Sequence, residues 1–271
     1  MRGFIERYTV DRGSLTRSYP VSISPARAAR FRQFYSDCLT QMQKLDFDAM
    51  SQAGKVDYLL LKNHLEYELR QLDIQAKQLV EIQPLIPFGQ TIIDLEEARR
   101  RMEPIDSAKT AALLTNLRKQ IDDTRHSVEA GLRSDSPDAI KAKKTVAHLA
   151  VGALNNLRNV LRNWYTFYNG YDPIFTWWNE EPYKALDQTL ATYASFLGER
   201  VVGLRPEGQQ TTAGATLNRG PSAGPGQAQP SQRAGAATAR AGDTSDIVGD
   251  PIGREALLSG LQSETLPHRP P

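Results

Sequence analysis

The 271-residue chain is poor in the residue types that most directly announce a chemistry. Its single cysteine, Cys38, excludes an internal disulfide and a cysteine-built zinc site. Cys38 falls on the apolar face of a predicted helix and reads as a buried core thiol. The four histidines, His64, His126, His148 and His268, lie on four different segments, and none belongs to a His-x-x-x-His or His-x-x-Glu-His pair that would present two ligands on one helix face. The glycines between Gly208 and Gly226 neither follow a strand nor precede Gly-Lys-Ser or Gly-Lys-Thr, so no phosphate-cradling loop can be written. Apolar runs are only a few residues long, far short of the roughly 18 to 20 that span a bilayer. Net charge is nearly absent: 33 basic against 31 acidic residues leave +2, well interspersed, which removes the electrostatic argument for nucleic acid or an anionic membrane as partner. Charges at Arg2, Glu6 and Arg7 stand where a secretory h-region would be, so the chain as written is expected in the cytoplasm; an upstream signal peptide would make it extracytoplasmic.

Present instead is helical periodicity from position 24 to about 200. Ser24 and Pro25 form an N-cap and first-turn pair, followed by the face Ala28, Phe31, Tyr35, Cys38, Met42 and Leu45. A long helix runs from near Ser51 through Leu61, Leu65, Leu69, Leu72, Ala76 and Leu79 and stops before Pro84 and Pro87. A shorter helix lies between Thr91 and Met102, Pro104 breaks it, and Asp106 or Ser107 caps the next, with Leu114, Leu117, Ile121, Val128 and Leu132 on one face. Ser136 and Pro137 repeat the cap signature ahead of a stripe from Ala150 through Leu154, Leu157, Leu161 and Trp164 to Tyr168. Pro182 reads as the first turn of a last helix carrying Leu186, Leu190, Tyr193 and Leu197. The fold expected is all-α, an antiparallel array of about six to seven helices over residues 1–204. Residues 205–245 change to Gly, Pro, Ala, Gln, Thr and Ser, with Leu217 the only large aliphatic side chain, and are expected to be a flexible linker. Residues 246–271 regain apolar spacing at Leu257, Leu258 and Leu261 and are read as the start of a further helical segment.

All three tryptophans fall between Trp164 and Trp178, around the turn signal Gly170-Tyr171-Asp172-Pro173. Aromatics gathered at a bend either pin one helix layer to another or line a cleft, and composition leaves both open. The run Glu96, Glu97, Ala98, Arg99, Arg100, Arg101 could hold an anion, but mixed charges at i, i+3 and i+4 more often form a solvated helix face. Adjacent carboxylates such as Glu180 and Glu181 point in different directions on a helix and give no ready acid–base pair.

Five blocks follow one another along the chain: Gly54 to Leu61; Pro84, Leu85, Ile86, Pro87 and Phe88; the arginine run before Met102 and Glu103; Gly170 to Trp178 with Pro182 and Tyr183; and Ile247 to Glu255. Together they resemble a known bacterial family, the domain of unknown function 885. Complete members look like all-helical zincin-type metallopeptidases, with a channel between two helical halves and a His-Glu-x-x-His helix in the C-terminal half. The resemblance therefore implies that this chain carries the N-terminal half alone. Glu264, Leu266, Pro267 and Pro270 fit the family's continuation before the sequence ends, as a truncated reading frame or a deliberate fragment would leave it. What it implies is a channel wall facing a peptide substrate, with zinc and the catalytic groups in the missing C-terminal half and the chain inactive alone. The residues that carry over as substrate-channel candidates are Tyr171, Asp172, Phe175, Trp177, Trp178 and Arg254. The rival expectation is a non-catalytic helical scaffold that holds a peptide or a partner helix on the same aromatic block.

Overall fold

Ser24 and Ser51 each start a helix by the same local chemistry. The Ser24 hydroxyl accepts from the Arg27 amide at 3.2 Å and that of Ser51 from the Gly54 amide at 3.2 Å, satisfying donors that the first helical turn leaves free. The computed structural model describes residues 1–133 and 139–204, and within them it is all-helical, with seven α-helices and no strand. The segments 205–245 and 246–271, Arg254 among them, and the Ser136–Pro137 signal lie outside the described residues. No helix among the described residues is long and apolar enough to cross a membrane.

Three helices build a first, smaller core: α1 (Arg2–Ser18), α2 (Pro25–Gln43) and α3 (Gln52–Ile82). Periodicity did not announce α1, because Tyr8 is its one fully buried side chain. Tyr8 stacks on Phe34 with ring centroids 5.6 Å apart, and its hydroxyl lies 2.9 Å from His64 Nε2. Around it Phe31, Tyr35, Met42, Leu61 and Leu65 close the core, together with Cys38, whose thiol burial pushes up to about 11.

The larger core begins at Ile82, the last residue of α3, and takes in a 3-10 turn (Gln83–Leu85), α4 (Gly89–Arg100), α5 (Ser107–Arg133), α6 (Lys144–Tyr168), α7 (Pro173–Phe196) and a closing π-helical turn (Leu197–Val202). Gly203 ends that turn at φ 89°, a left-handed conformation natural to glycine. Chain neighbours α2/α3 and α6/α7 run antiparallel. Helices α5 and α7, separated by the returning α6, run in the same direction: Asn179 meets Ser107 at one end, and Arg125 meets Phe196 at the other.

Two helix starts differ from the sequence reading. Helix α6 opens at Lys144 rather than at Ser136–Pro137, behind an extended Lys143 (φ −68°, ψ 148°). The residues before it are drawn onto α5: the Ile140 amide donates to the Ser127 carbonyl at 3.0 Å, and the Ile140 carbonyl oxygen lies 2.3 Å from where a Cβ on Gly131 would stand. The helix expected from Pro182 is the second part of α7, which starts at Pro173; Pro182 sits inside it. A proline ring there removes one amide donor. Packing on both sides holds the helix through it, with Tyr165 and Tyr183 stacked at 3.8 Å and Arg158 paired with Asp187 through two bonds of 3.0 and 2.9 Å.

The two cores are joined twice. One link is α3 itself. The other is the corner between α1 and α2, where Val21 enters the larger core, the Ser24 hydroxyl donates to Glu97 at 2.5 Å, Asn156 Nδ2 donates to Ser22 Oγ at 3.1 Å, and an Arg100 guanidinium nitrogen donates to the Arg17 carbonyl at 2.9 Å.

Candidate functional site

The corner between α6 and α7 divides the aromatic block into two layers. Asp172 is the N-cap of α7, its Oδ1 accepting from the amides of Ile174 at 2.9 Å and Phe175 at 3.1 Å. Pro173 follows in the first turn, and Gly170 makes the bend at φ 81°. Capped this way, α7 turns Phe175 inward, where it is fully buried against Trp164 (5.4 Å), Tyr168 (4.9 Å) and Tyr165 (5.9 Å). The spacing that buries Phe175 exposes its neighbours. Tyr171 is 89% exposed, Trp177 76% and Trp178 42%, with Ile174 beside them, and the two indoles meet edge to face at 5.0 Å.

Of the residues expected to line a channel, Trp177 and Trp178 thus form an exposed stripe with Ile174 near the start of α7, and Tyr171 is exposed in the turn before it. Asp172 sets the direction of that stripe through its cap bonds. Phe175 belongs to the core beneath and offers no surface, because helical geometry puts it on the face opposite Trp177. Arg254 lies outside the described residues. The inner set packs one helix layer on another, one of the two outcomes expected of aromatics at a bend, while the outer set is exposed surface.

On the neighbouring side of this corner lies a cleft that helical periodicity does not announce. It is a cavity of about 250 Å³ between the end of α4, the start of α5 and the end of α6. Leu95, Ala98, Ile105, Leu113, Trp164 and Tyr168 give it apolar walls, and Arg99, Glu103, Asp106 and Lys109 stand around them. One wall exists because α4 ends in a Schellman motif: the Met102 amide donates to the Arg99 carbonyl and the Glu103 amide to the Ala98 carbonyl, both at 3.0 Å. Met102 takes the left-handed position that glycine usually fills, at φ 58°. Pro104 then leads to Asp106, which caps α5 by accepting from the Lys109 amide at 3.1 Å; that bond and the Lys109 ammonium hold its carboxyl below the usual range. A breaker, Pro104, followed two residues later by a cap was the only signal for this loop in the sequence.

The arginine run resolves into a network. Glu96 is buried and bonded to Arg99 and Arg100, and the Arg99 guanidinium also lies 4.6 Å above the Phe167 ring. The hydrogen bond to Glu96 raises the pKa of Arg99, keeping it charged. Burial raises that of Tyr168, so its hydroxyl stays neutral at the edge of the cleft. Beside it Asn179, wholly buried, donates from Nδ2 to the Ser107 carbonyl at 3.1 Å and the Phe175 carbonyl at 3.0 Å, fastening α7 to the first turn of α5.

Among the described residues no group of three His, Cys, Asp or Glu side chains could hold a metal ion. His64 is engaged with Tyr8 in the smaller core, while His126 and His148 are exposed on α5 and α6. Comparison with protein-family models, with curated proteins and with solved structures finds no match.

Proposed function

We propose that this chain is the peptide-binding wall of a metallopeptidase-like protein, the N-terminal helical half that grips substrate while catalytic groups are supplied from elsewhere. The observation that carries the reading is the exposed stripe of Ile174, Trp177 and Trp178, held on the capped first turns of α7 by a buried aromatic layer, with Tyr171 exposed in the turn before it. Large rings exposed together on a rigid element offer apolar contact area at little cost in side-chain freedom, the usual character of residues that dominate binding. A second face fits the half-molecule reading: Val56, Leu59 and Leu60 stand exposed on α3, where another helical body would cover them. Hydrolysis in a zincin-type protein uses a metal-bound water. The described residues provide no ligand set for such a metal, so the hydrolytic step is not assigned to them.

The test is binding of a fluorescein-labelled, blocked pentapeptide of alternating Ala and Phe, read by anisotropy with the full chain. The double substitution Trp177→Ala, Trp178→Ala is expected to weaken binding about thirtyfold, the scale of losing an interface anchor of about 2 kcal/mol. Its thermal midpoint should stay within about 2 °C of the parent, because both side chains are surface residues. Unchanged affinity together with a clear drop in the midpoint would assign both rings to packing and end the peptide-wall reading.

A further inference from the structure

The cleft beside the stripe has a narrower chemistry than the stripe itself. Its walls are mostly carbon, with the Trp164 and Tyr168 rings against Leu95, Ala98, Ile105 and Leu113, and the hydroxyl of Thr110 in the lining donates to the Asp106 carbonyl at 2.7 Å. Every charge on its rim is already engaged: Arg99 by Glu96, Glu103 by Arg101 at 2.6 Å, and Asp106 by Lys109 at 3.1 Å. An ammonium or carboxylate entering such a site gives up hydration without meeting a counter-charge of its own, whereas an apolar group loses only water. The cavity, about 250 Å³, is smaller than the roughly 300 to 1,000 Å³ typical of sites for whole drug-sized ligands. It has room for one side chain.

We infer that this cleft is a subsite for a single uncharged side chain of a bound peptide, aromatic or branched aliphatic. The ligand class rests on the peptide-wall reading of the same corner; the selectivity rests on the cleft alone. Arg99 serves here as wall rather than as counter-ion, since Glu96 on one side and the Phe167 ring on the other fix its guanidinium.

Trp164 gives a direct readout. The chain has three tryptophans, so Trp177→Phe with Trp178→Phe leaves Trp164, in the cleft wall, as the only indole. The full chain carrying both changes is titrated with N-acetyl-phenylalaninamide, N-acetyl-leucinamide, N-acetyl-lysinamide and N-acetyl-glutamic acid α-amide, following Trp164 emission. The expected result is a saturable change with the two apolar amides and at least tenfold weaker binding of the two charged ones. Filling the cleft by Ala98→Leu or, separately, Ile105→Trp should weaken the apolar amides at least tenfold, with the Ile105→Trp variant read by calorimetry because it adds an indole. Far-UV circular dichroism identifies which filled variant is folded. Equal binding of charged and apolar amides, no saturable change, or unaltered affinity in a folded filled variant each overturns the subsite. Saturation that appears only after Leu257→Asp with Leu258→Asp also overturns it, because the occupant is then the chain's own segment. Binding of the labelled pentapeptide without binding of the amides leaves the peptide wall standing and removes the subsite; the reverse removes the wall and keeps the cleft.

Discussion

Met102 shows how a single residue shapes the candidate site at a cost. It occupies the left-handed position of the Schellman motif that ends α4, and its side chain is exposed, so no packing offsets the strain. A non-glycine residue in that conformation costs about 1–2 kcal/mol. Met102→Gly removes the strain but loosens the unfolded chain by about 0.5–1 kcal/mol, and the expected net gain is about 0.5–1 kcal/mol, seen as a higher urea midpoint with an unchanged slope. A lower midpoint would mean that the methionine makes a stabilising contact. At this scale the sequence was half legible. The turn around Gly170 and the cap residues Ser24 and Ser51 could be read because their chemistry is local. That Asp172 caps α7 and Phe175 sinks into the core depends on where the helix starts, a matter of longer range.

At the scale of elements, Gly131 records the conflict that hid the start of α6. Inside an exposed helix, glycine to alanine gains about 1 kcal/mol. Here the new Cβ would meet the Ile140 carbonyl oxygen at 2.3 Å, a contact with backbone that no side-chain rotation relieves. Gly131→Ala is therefore expected to destabilise the chain by about 1–3 kcal/mol, measured by chemical denaturation, and a gain in stability would show that the Ile140 segment does not lie across α5. The same contact explains the misread start. Ser136 and Pro137 carry a valid cap signature, but the Ile140 amide bonds to the Ser127 carbonyl on α5, residues 139–143 are not helical, and α6 starts only behind the extended Lys143. Pro182 misled in the opposite sense: a proline that reads locally as a first turn is carried inside α7 because Tyr165, Tyr183, Arg158 and Asp187 pack the helix across it. Helix α1 escaped notice because it buries so little of itself. The cleft escaped for a related reason, since its walls come from three helices far apart in the chain.

For the whole molecule, buried phenols link stability to alkaline pH. Burial raises the pKa of Tyr8, Tyr35 and Tyr193, and of Tyr165, Tyr168 and Tyr183 in the aromatic layers, above the ordinary 10.0; the Cys38 thiol moves from 9.0 to about 11. In each case the folded chain holds the proton more tightly than the unfolded chain. Their contribution is fully present below the unfolded values and is lost as pH rises through the folded ones, because the unfolded state gains stability first by ionising. The urea midpoint should stay level up to about pH 8, begin to fall near pH 9 as the Cys38 window opens, and fall steeply above about pH 10, with the buried phenols ionising together with unfolding. Ionisation of Tyr8 or Tyr193 in the folded chain, read by site-specific isotope labelling and with no loss of stability, would contradict the burial.

The placement of the two links between the cores also has a mechanical consequence. Helix α2 begins beside the later part of α3, where Arg32 pairs with Asp73, so the clasp of Ser24, Glu97, Arg17 and Arg100 lies toward the same end as Ile82. The two links therefore lie toward one end of the three N-terminal helices, which makes that end the pivot. At about 1.5 Å per residue, Val56 and Leu59 on α3 stand about 39 and 35 Å from the pivot at Ile82. By that leverage a rotation of about 5° at the clasp would carry the exposed Val56 and Leu59 face through about 3 Å.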